Sequence, residues 1–136
     1  MKLNTYALDS YFRNIPSDTF DKQGVAFIVE SRNDIALLCE SLKECGYFLT
    51  KENISFTLSD SSSTVRAFVC PKDARLESIY AEPENARYYH TLGGTMLSKV
   101  FLCVDNVTAQ EYEYLLCRCR RKLDNDLSPI RFLYFR

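Results

Sequence analysis

The chain has no tryptophan, one histidine, and only four glycines and four prolines in 136 residues. One histidine is too few for the usual zinc patterns, and no Cys-x-x-Cys pair supplies the alternative. The glycines form no phosphate cradle. "GGTMLSK" (93–99) lacks the Gly-x-x-x-x-Gly-Lys-Ser/Thr spacing, and a strand pattern rather than a helix follows it. Charge of one sign is also missing. A formal net charge of −1 creates no whole-molecule field toward nucleic acid or an anionic membrane. The longest apolar runs, "VAFIV" (25–29) and "VFLCV" (100–104), fall far short of the roughly 20 residues of a membrane span. The opening "MKLNTYALDS" carries no apolar secretory core, so the six cysteines are expected to be reduced thiols in a cytoplasmic protein.

What is present is apolar patterning in plenty, with nine tyrosines and nine phenylalanines. So many tyrosines cannot all be buried, and exposed tyrosine is common at interfaces. The length suits a single domain, residues 1–136, with a core large enough to need no staple.

Residues 4–14 read as a helix, with Leu8, Tyr11, Phe12 and Ile15 at helical spacing and Pro16 as the stop. "PSDTFDKQG" (16–24) reads as a polar loop. "VAFIVE" (25–30) is apolar throughout, the pattern of a strand covered on both faces or central in a sheet. Ser31 with Asp34 resembles a capping box for a helix to about Cys45, and Gly46 suits a left-handed C-cap. "ISFTLSD" (54–60) alternates cleanly, "SDSSS" turns, and "TVRAFVC" (64–70) returns as a hairpin. Residues 71–96 read as an insertion with helical pieces, longer than an ordinary connection. "LSKVFLCVD" (97–105) is a second strongly apolar strand. Thr108 and Glu111 then make a capping box for a helix to about Leu123, and "SPIRFLYFR" (128–136) reads as an edge strand.

Without the N-terminal helix (1–15), the insertion and one hairpin strand, this order is βαββαβ. It predicts an α+β domain of the ferredoxin-like (split βαβ) type: an antiparallel sheet with two packed helices. In that plan the strands at 25–30 and 97–105 are antiparallel neighbours. Glu30 and Asp105, which end them, would then lie at opposite edges of the sheet. A carboxylate pair would have suggested acid–base chemistry or a divalent cation; this topology separates them.

"LLCRCRRKLD" (115–124) offers two cysteines and four basic residues. Ala109, Tyr112, Leu115, Leu116, Cys119 and Leu123 form one apolar stripe. Cys117 lies about 200° round the helix from Cys119, so the two thiols cannot share a metal. Arg118, Arg120, Arg121 and Lys122 fall in the last turns, where the helix dipole favours cations at about 0.3–1 kcal/mol each. Together with Arg131 they also make a basic patch, and an aromatic strand beside such a patch is one way to bind RNA or DNA. The strand lacks the glycine-containing RNA-binding signature, so the solvated-face reading is preferred.

His90, in "ENARYYHTLGG", is a candidate general base for a small enzyme, though no spacing selects a nucleophile for it. The insertion also carries Tyr80, Glu82, Glu84, Arg87, Tyr88 and Tyr89, aromatic anchors among charges. The expected function is a small non-enzymatic protein-binding module, an inhibitor of a partner protein of the immunity, antitoxin or phage anti-defence kind. Its contact surface would run from Tyr80 to His90. The alternatives are nucleic-acid binding through the basic C-terminal region and catalysis through His90. No metal, cofactor or membrane partner is expected, and a homodimer through an edge strand is compatible with the pattern.

Overall fold

A computed structural model describes residues 3–14, 21–50, 55–61, 63–71, 97–117, 119 and 130–133. In chain order the elements are α1 (Tyr6–Asn14), β1 (Asp21–Val29), α2 (Asn33–Glu44), β2 (Phe48–Thr50), β3 (Ser55–Ser59), β4 (Thr64–Pro71), β5 (Lys99–Cys103), α3 (Ala109–Cys117) and β6 (Ile130–Phe132). The mixed α+β character expected from the sequence is present: six strands form one sheet, ordered β2-β3-β4-β1-β5-β6.

The sheet has two parts. β4, β1, β5 and β6 run parallel to one another, while β2, β3 and β4 pair antiparallel. The antiparallel neighbours expected at 25–30 and 97–105 are therefore corrected. Val25 to Val29 pair in parallel register with Lys99 to Cys103. The ferredoxin-like plan fails because of β2, three residues to which the sequence reading assigns no element. One added strand between α2 and the hairpin reverses the direction of everything after it. Without β2, residues 64–71 would run against β1; with β2, they run alongside it.

Parallel strands need cover on both faces, and the two clusters of buried side chains supply it. On one face Val25, Phe27, Val29, Phe101 and Cys103 pack with Leu8, Tyr11 and Phe12 of α1 and Leu38, Cys39 and Leu42 of α2. On the other, Ala26, Ile28, Val100 and Leu102 pack with Leu115 of α3. Tyr11 meets Phe101 edge-on, with ring centroids 6.1 Å apart, and its hydroxyl bonds the Ser98 hydroxyl at 2.7 Å. The stripe Leu8, Tyr11 and Phe12 thus packs on the body; Ile15 lies outside the described residues.

Local chemistry sets the boundaries. β1 begins at Asp21, four residues earlier than expected, through an irregularity between Asp21 and Val25. Gly24 sits there at φ +80, and its carbonyl accepts the Ser98 N–H at 2.8 Å. α2 ends as the sequence suggests. Gly46 is at φ +95, the Gly46 N–H reaches Lys43 O at 3.0 Å, and the Tyr47 N–H reaches Leu42 O at 3.1 Å. This is the paired bonding of a Schellman motif, with Tyr47 and Leu42 both in the core. The hairpin turn between β3 and β4 is held by the Ser63 N–H on Asp60 Oδ1 at 2.7 Å. β6 closes the sheet as an edge, as expected. The expected insertion lies outside the described residues except for Pro71.

Candidate functional site

Parallel pairing brings four strand ends to one rim. Val29 of β1 stands between Pro71 of β4 and Cys103 of β5 in the register. Beyond them come the first exposed polar residues of the two central strands, Glu30 after β1 and Asp105 after β5. They are brought together: the Asp105 N–H donates to Glu30 Oε1 at 3.4 Å. The sequence reading placed these carboxylates at opposite edges, and the parallel register overturns that.

From this rim the chain departs in two directions. After β1 it enters α2, which packs on the first face; after β5 it enters α3, which packs on the second. Adjacent parallel strands whose continuations leave to opposite faces open a crevice between them. This is the topological switch point at which open α/β sheets bind ligands.

Both helices begin at the rim, and both starts carry an acid. At α3 the capping box expected from the sequence is complete: the Glu111 N–H donates to Thr108 Oγ1 at 3.0 Å, and the Thr108 N–H donates to Glu111 Oε2 at 3.3 Å. At α2 the Ser31 N–H donates to Asp34 Oδ2 at 3.1 Å. The cap position there is Arg32 rather than the expected Ser31, so Asp34 reaches back without a reciprocal hydroxyl cap. The carboxylates sit where the helix dipole favours negative charge. Glu30 and Asp105 are exposed at this rim, Asp34 is half-buried and Glu111 is buried; the exposed Arg32 stands on the turn that carries Glu30 and Asp34.

Cys103 ends β5 two residues before Asp105. Burial pushes its thiol far above the usual range, which disfavours the thiolate. Cys119 is half-buried, donates its thiol to Leu115 O at 3.3 Å, and packs on the second face as a small apolar group.

The structure describes few of the residues singled out from sequence. Tyr80, Glu82, Glu84, Arg87, Tyr88, Tyr89 and His90 lie outside the described residues, as do Arg118, Arg120, Arg121 and Lys122. Arg131 is half-buried on β6, opposite Phe101 in the register. Among the described residues, no three His, Cys, Asp or Glu side chains converge as a metal-binding group, and no helix is long and apolar enough to cross a membrane. Comparison of the chain with protein-family models, curated proteins and solved structures gives no match.

Proposed function

We propose that this chain is a binding domain whose ligand sits at the rim between β1 and β5, held through a hydrated divalent cation on Glu30 and Asp105. The observation that supports it is that two exposed acidic residues neighbour each other at a switch point of parallel strands, the Glu30 carboxylate meeting the Asp105 backbone N–H. Electrostatics favours a cation over a bare anion. Glu30 and Asp105 are exposed at the rim, and Asp34 and Glu111 already occupy the two helix starts that would otherwise attract phosphate. Two carboxylates suffice for magnesium, which keeps several waters and takes its remaining ligands from the oxygens of a bound molecule.

Magnesium titration followed by amide NMR tests this. The expected result is shifts confined to residues 30–34 and 103–108, lost in a Glu30→Gln, Asp105→Asn double variant that keeps its melting temperature. Unchanged spectra at millimolar magnesium would overturn the reading.

A second reading concerns residues 80–90. We propose that they contact a protein partner and that the chain acts as a small cytosolic inhibitor. What supports this is composition: Tyr88 and Tyr89 stand among Glu82, Glu84 and Arg87, aromatic anchors among charges. Replacing both tyrosines by alanine should abolish partner capture with little change in melting temperature. Capture that survives the double replacement would remove the assignment.

A further inference from the structure

We draw no further inference here: the strongest candidate, the outer rim of the antiparallel part of the sheet where exposed Phe48 projects from edge strand β2, carries nothing because nothing in the structure shows what covers it.

Discussion

The two halves of the sheet bury their strands differently. In the parallel half, every residue from Val25 to Val29 and from Lys99 to Cys103 is buried. In the antiparallel wing, Phe56 and Leu58 of β3 are buried while Thr57 and Ser59, which alternate with them, are half-exposed. β4 belongs to both and shows both patterns. It alternates from Thr64 to Ala67, then is buried continuously to Pro71. Arg66 marks the boundary, exposed, with its guanidinium 5.3 Å from the centre of the Phe68 ring. The difference follows from cover. Helices lie on both faces of the parallel half, whereas the wing is packed on the face that holds Phe56, Leu58 and Val65.

The sharpest way to break this comparison is to remove one aromatic ring from each half. Phe101 is fully buried and stacks on Phe27 at 5.3 Å. Phe101→Ala should cost about 3–5 kcal/mol, the range for deleting a large core side chain. Phe48 is 63 % exposed on β2, and Phe48→Ala should change stability by no more than about 0.5 kcal/mol. Urea unfolding measures both. Equal losses would mean that the wing is as tightly covered as the parallel half.

The same contrast explains what could be read from the sequence. Alternation in "SFTLS" and the turn at Asp60 made the hairpin legible. The pairs Ser31–Asp34 and Thr108–Glu111 marked two helix starts, and Gly46 marked one helix end; Thr108–Glu111 and Gly46 form the expected hydrogen bonds, while Asp34 only reaches back to the Ser31 N–H. The unbroken runs "VAFIV" and "VFLCV" already marked two strongly apolar strands. Their direction was not legible, because it depends on β2, and three residues cannot display a period. From that omission came the antiparallel plan, and from the plan the separation of Glu30 from Asp105. The candidate site was therefore hidden by topology rather than by composition: both acids were visible, and only their relation was misread.

A second pair of changes compares the two positive-φ glycines. A Cβ at Gly24, in the parallel half, would lie 2.9 Å from the Arg66 carbonyl oxygen, a backbone atom that cannot step aside. A Cβ at Gly46, just before the wing, would meet nothing within 4 Å. Gly46→Ala should therefore cost only the left-handed penalty, about 1–2 kcal/mol. Gly24→Ala carries that penalty plus the clash and should exceed about 2 kcal/mol. A Gly24 variant as stable as the Gly46 variant would show that the irregularity in β1 relaxes freely.

The smallest effects come from titration, one group in each half. Burial raises the Cys103 thiol at the end of β5. Tyr47, which leads into β2, is raised by burial first and then by its hydroxyl's hydrogen bond to the Asp9 carboxylate. In both cases the proton is held more tightly in the folded chain than in the unfolded one. The contribution is therefore whole below the unfolded pKa and is lost as pH rises above it. For the thiol that loss begins near pH ~8.5, and for the phenol near ~10. Each group can steepen the decline by at most about 1.4 kcal/mol per pH unit. Stability measured by urea unfolding at successive alkaline pH values should fall first through Cys103 and then more steeply through Tyr47. Cys103→Ala should remove the earlier component and leave the later one, and Tyr47→Phe should do the reverse. If Tyr47→Phe instead flattened the curve from pH ~8.5, the wing junction would be opening before the parallel half. The order of stability implied by their burial would then be inverted.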